Sequence, residues 1–118
     1  TPGSSSALYQ GADHFHRLMI TAVFYEKGRQ YVGFCVSGHA EHEIACACVS
    51  SAVQLTANGV TELAHIPASV EAKGDTVRLE LIGKPNPQTQ VLIAALYQHC
   101  LCLAEDFPGR IKVLQRPR

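Results

Sequence analysis

Hydrophobic and polar positions alternate with a period of two along several stretches of the chain, and twice the period shifts to that of a helix. From Ile20 to Glu26, Ile20, Ala22 and Phe24 fall on one face and Thr21, Val23 and Tyr25 on the other. Lys27-Gly28-Arg29-Gln30 interrupts the pattern as a turn. Tyr31 to Val36 then sets Val32, Phe34 and Val36 against Tyr31, Gly33 and Cys35. Two such runs around a glycine turn predict a hairpin with strands near 20–26 and 31–37. After Ser37-Gly38 the period changes. Ile44, Ala47, Cys48, Val49, Ala52, Val53 and Leu55 fall mostly on one broad helical face, which predicts a helix near 43–57. Asn58-Gly59 reads as its stop, because either residue takes the left-handed position after a helix. Residues 60–66 fit a loop or a short strand before Pro67.

A second hairpin follows, with strands near 68–73 and 76–82 around Gly74-Asp75. Val77, Leu79 and Leu81 oppose Arg78 and Glu80, the pattern of a half-buried strand. Gly83-Lys84-Pro85 breaks it. Asn86-Pro87 supplies a helix cap and a first-turn proline. The helix they open runs to about Glu105 and carries Val91, Leu92, Ala95, Leu96, Leu101 and Leu103. Asp106-Phe107-Pro108-Gly109 ends it, and Ile111, Val113 and Gln115 predict a last strand near 110–115. The order ββαββαβ specifies an α+β fold: a mainly antiparallel sheet with both helices packed on one face, the second the more buried. Ahead of it, Thr1 to Leu18 is polar and rich in Gly and Ser. Met19, the single methionine, directly precedes the first alternating run. Residues 1–18 therefore read as a foreign or mobile tail, in which His14 and His16 carry little weight, and 19–118 as a single domain.

Composition narrows the classes. A chain of 118 residues with 47% hydrophobic and 17% charged content is long enough to bury its own core. A formal net charge of zero gives no broad grip on nucleic acid or acidic lipid, so neither a nucleic-acid nor a membrane partner is expected. The apolar runs are too short to span a bilayer, and residues 1–18 lack the apolar segment of a secretory signal. Five cysteines, an odd number that includes the closely spaced Cys46/Cys48 and Cys100/Cys102, suit free thiols in a reducing cytoplasm better than a disulfide framework.

The chemistry concentrates in Ser37–Ser50, which holds a glycine turn, His39, Glu41, His42, Glu43, Cys46 and Cys48. A thiolate, not a thiol, is the nucleophile, and its pKa must be brought down from ~8.5. A helix N-terminus and a neighbouring imidazole both do this. Cys46 falls in the first turn or so of the helix that starts near Glu43. His39 sits just before it, and the intervening residues span at most ~20 Å, so contact is permitted but not forced. Glu43, three residues before Cys46, shares its helical face. It either orients an imidazole or complements the helix dipole. Cys48 lies about 200° round the helix and reads as core. Cys35, Cys100 and Cys102 read as structural. His39, His42, Cys46 and Cys48 superficially resemble a metal site. The C-x-C spacing chelates poorly from one helix, so neither a metal nor another cofactor is expected.

Gly38-His39-Ala40, the Glu43-Ile44-Ala45-Cys46-Ala47 run and then Ser50 resemble the Prp family of ribosomal-processing cysteine proteases. The similarity extends from Met19 to the C-terminus. It implies His39 and Cys46 as a catalytic dyad, with Gly38, Glu43 and Ser50 in supporting positions. It also implies a homodimer that removes the N-terminal extension of a large-subunit ribosomal protein precursor, cutting after aromatic residues. Two departures stand out. The family's acid is usually Asp, and its loop between histidine and cysteine is longer. That shortened loop keeps an alternative open: a ribosome-associated binding module without enzymatic activity.

Overall fold

The alternating stretches assemble into a five-stranded sheet of order β3-β4-β2-β1-β5. The computed structural model describes residues 19–118, so the expected N-terminal tail lies outside the described residues. Its elements are β1 (Ile20–Lys27), β2 (Gln30–Gly38), α1 (Glu43–Asn58), β3 (Ala68–Lys73), β4 (Thr76–Leu81), α2 (Pro87–Asp106) and β5 (Ile111–Pro117). Each pairing is antiparallel except that of β1 with β5. The fold is α+β, with the ββαββαβ order that the periodicity predicts. A bulge between Tyr25 and Glu26 shifts the β1–β2 register. There Gln90 of α2 accepts from the Tyr31 N–H at 2.6 Å and donates to the Tyr31 carbonyl at 2.8 Å, pinning α2 to the sheet.

One face of the sheet is buried, and both helices pack into the same core with it. Ile20, Ala22 and Phe24 of β1 join Phe34 and Val36 of β2, Leu79 of β4 and Ile111 of β5. Phe24 sits at the centre, with the rings of Phe34, Tyr31 and Tyr97 at 5.2–6.3 Å between centroids. From α1 come Ala45, Val49, Val53, Thr56 and Ala57, and from α2 Thr89, Ile93, Leu96, Cys100 and Leu103. The stripe on α1 is thus shifted from the expected one. Ile44 and Leu55 face solvent at 63% and 74% exposure. The expectation that the second helix is the more buried fails in number, since each buries five residues. α2 contributes the bulkier side chains.

Asn58-Gly59 does not stop the first helix. Gly59 keeps helical angles (φ −61°, ψ −43°), and a single π turn, Gly59–Leu63, carries the helix on. The Ala64 N–H donates to the Gly59 carbonyl at 2.8 Å, closing the wider turn. Thr56, before it, and Thr61, within it, donate to the carbonyls four residues back. What Gly59 supplies is close approach: a Cβ there would stand 3.2 Å from both methyl carbons of Leu92. The resulting Glu43–Leu63 helix, 21 residues, is by length and composition long enough to cross a bilayer, contrary to the expectation from the apolar runs. Its Val49, Val53, Ala57 and Val60 lie in the core of the domain.

Candidate active site

β2 delivers the chain to the site, and Gly38 makes the turn possible. Its φ of +93° is one that L side chains rarely adopt, and a Cβ there would lie 2.3 Å from the Met19 carbonyl oxygen. His39 follows, exposed, and Ala40 is buried. The loop is short because α1 starts at Glu43, only a few residues on. Arg110, just ahead of β5, donates to the Glu41 carbonyl at 3.1 Å and accepts from the Ile20 N–H at 2.9 Å, tying the loop to the sheet.

Cys46 sits half-buried in the first turn of α1. Its Sγ lies 3.8 Å from Nδ1 of His39 and donates to the Ala40 carbonyl at 3.1 Å. The thiol proton therefore has two acceptors within reach, one of them an imidazole nitrogen. The Cys46 N–H is committed to the His42 carbonyl at 3.0 Å, so it is not free to bind an oxyanion.

The pair opens into a groove of about 470 Å³ between α1 and the β3–β4 hairpin. Val49, Val53 and Ala57 form one wall and Val70, Ala72 and Val77 the other, with Ser50, Gln54 and Asn58 along the rim. Among the described residues, Asp75, at the hairpin tip, is the one fixed charge on this lining. An apolar trough that begins at a thiol–imidazole pair suits an extended peptide whose side chains are apolar.

Of the residues singled out from sequence, His39, Cys46, Gly38 and Ser50 share this groove. Glu43 stands exposed in the first turn, and among the described residues no hydrogen bond or ion pair joins it to His39. Its place favours the dipole-complementing role. Cys48 faces away, into a second groove between α1 and α2 beside Leu55 and His99. Among the described residues no group of three or more His, Cys, Asp or Glu side chains stands close enough to hold a metal. Sequence reasoning missed two contributors. The hairpin wall comes from a distant stretch whose position depends on sheet order. His42, which in the sequence stands out only as part of a superficial metal-like pattern, is half-buried and caps α1: its Nδ1 accepts from the Ala45 N–H at 3.2 Å.

Comparison with known proteins decides the family. Residues 19–112 match the family described as cysteine protease Prp. The chain belongs to the Prp cysteine protease family. It is accordingly a cysteine protease, and the binding-module alternative gives way. The fold is that of solved Prp structures. One relative, an S. aureus Prp described as an essential ribosomal processing protease with a covalently linked product peptide, superposes with a TM-score of 0.78 at 17% identity, covering 83% of this chain and all of that one. The same S. aureus protease with a substrate peptide gives 0.76 at 16% identity, over the same shares. SMU.848 from Streptococcus mutans gives 0.76 at 22% identity, covering 85% of this chain and 99% of that one. No curated protein matches the chain.

Proposed function

We propose that this Prp protease cuts with Cys46 as nucleophile and His39 as general base, and that its substrate is the precursor of a large-subunit ribosomal protein carrying an N-terminal extension. The observation that carries the reading is the 3.8 Å approach of Cys46 Sγ to His39 Nδ1 at the mouth of an apolar groove. With Nδ1 unprotonated, His39 takes the thiol proton as the sulfur attacks the scissile carbonyl. The imidazolium then protonates the departing amine, leaving a thioester on Cys46. Water, deprotonated by His39, hydrolyses that thioester and restores the thiol. The Glu43 and Ile44 N–H groups, at helix positions without an intrahelical partner, are the candidates for stabilising the oxyanion. The ribosomal substrate is supported by the description of the S. aureus relatives as ribosomal processing proteases with bound peptides.

The same reading makes the protein a cytoplasmic homodimer. All five cysteines are free, which suits a reducing compartment. Ile44, Leu55, Val91 and Leu101 leave the outer sides of the two helices unusually apolar, which suits self-association. Light scattering should return twice the chain mass of 12.8 kDa. A monomer at crystallisation concentrations would remove the dimer from the account.

The test of the substrate assignment is to incubate the protein with extended ribosomal protein precursor and weigh the products. The wild type should release the extension at one site, and Cys46→Ala should leave the precursor whole. Cleavage by Cys46→Ala, or no cleavage by the wild type while Cys46 remains reactive, would sink the mechanism or the substrate respectively.

A further inference from the structure

The geometry points to His42 as a positioning residue for Cys46, engaged only while its imidazole is neutral, so that acid disengages the first turn of α1 independently of the dyad. His42 is the N-cap of α1, with extended backbone (φ −155°, ψ 103°). It holds the first turn twice over: Nδ1 accepts from the Ala45 N–H at 3.2 Å, and its carbonyl accepts from the Cys46 N–H at 3.0 Å. Phe107 packs against the ring, edge-on at 4.9 Å between centroids. Cys46, the residue this turn carries, has both of its sulfur contacts, His39 and Ala40, in the loop that His42 closes.

The second helix shows the ordinary solution to the same problem. Asn86 caps α2 by accepting from the Thr89 N–H at 2.8 Å, in the position that His42 holds on α1. An amide oxygen accepts at any ordinary pH. An imidazole nitrogen accepts only while it lacks a proton, because both nitrogens of the imidazolium are donors. Protonation at His42 therefore removes the Ala45 bond and places a positive charge at the positive end of the α1 dipole. Both effects loosen the turn that presents Cys46. Histidine is the side chain for which such a change falls in the physiological range. The charged and titratable neighbours are His39, Glu41 and Glu43 in the loop and first turn, with Asp106 and Arg110 on either side of Phe107.

The proposal rests on Cys46 being the working thiol, so its test reads the thiol and the cap separately, in the full chain. Iodoacetamide modification of Cys46 is followed from pH 5 to 8 in wild type, His42→Asn and His42→Ala, with hydrogen exchange at the Ala45 amide measured alongside. At neutral pH, His42→Asn should match wild type within about twofold, and His42→Ala should be about three- to tenfold slower. Towards acid, the wild-type rate should fall about three- to tenfold further than the His42→Asn rate. Ala45 protection should collapse with acid in wild type and persist in His42→Asn. Superimposable profiles for wild type and His42→Asn in both measurements would overturn the proposal. A Cys46 unreactive in every variant, with Ala45 protection still lost only in wild type, would instead fault the dyad and leave the cap intact.

Discussion

The chemistry proposed for Cys46 depends on neighbours that precede it closely in the chain but are held by distant ones. His39 and Ala40 meet its sulfur, and His42 holds its amide. Cys46→Ser should keep the fold and lose at least ~10³-fold in turnover of a peptide substrate, because an imidazole activates a hydroxyl far less readily than a thiol. His39→Ala should lose a comparable factor, whereas Cys48→Ser, which faces the other groove, should keep most activity. Gly38→Ala should cost about 2–3 kcal/mol in urea unfolding, since it meets both a left-handed φ and the Met19 carbonyl, a backbone atom that cannot step aside. A wild-type midpoint for Gly38→Ala would show that the turn can be remade. At this scale much was legible. His39, Cys46 and Gly38 stand out because glycine turns, imidazoles and helix-start cysteines are local signals. His42 was not legible, because its role needs the Ala45 N–H and a ring, Phe107, that only the folded chain brings near.

The elements were read from sequence to within two residues at every end but one. Period-two runs became strands because one face of the sheet is buried and the other, Gly33 and Cys35 of β2 apart, is more open, and Asn86-Pro87 opened α2 with a full capping box. Asn86→Ala should lower stability by about 1 kcal/mol. The exception is Asn58-Gly59. Glycine permits a helix stop without requiring one, and here packing against Leu92 keeps it helical. Gly59→Ala should therefore be nearly neutral, within about 1 kcal/mol, with helix propensity gained and Leu92 displaced. Gly33→Ala should be far worse, since its Cβ would lie 2.4 Å from the Leu79 carbonyl oxygen of the neighbouring strand. Denaturation of the two variants side by side separates a glycine the helix tolerates from one the sheet needs. Which helix positions face solvent was less legible. Ile44, Leu55 and Val91 are apolar yet exposed, and composition alone cannot separate a buried stripe from an apolar outer surface.

Across the whole molecule the five thiols occupy five different environments, and their titration and reactivity report on the fold and the site separately. Burial pushes the Cys100 thiol up from 9.0 to about 11. The unfolded chain gives up this proton first, so between those values the folded state binds more protons and stability falls as pH rises. The loss should reach about 2–3 kcal/mol by pH 11 and be absent in Cys100→Ala, which thermal unfolding from pH 8 to 11 will show. The parallel pairing of β5 with β1 and the groove wall built by the β3–β4 hairpin belong to this scale too. Neither was legible, because both follow from strand order rather than from any local run. Reactivity of the same thiols tests the central claim, that His39 activates Cys46. Brief iodoacetamide exposure near neutral pH, followed by mass-spectrometric mapping of every cysteine, compares Cys46 with Cys102, which is the more exposed. The account predicts that Cys46 is modified at least ~10-fold faster than Cys102 and that His39→Ala removes the advantage. Labelling that simply follows exposure, with Cys102 first and Cys46 indifferent to His39→Ala, would contradict it.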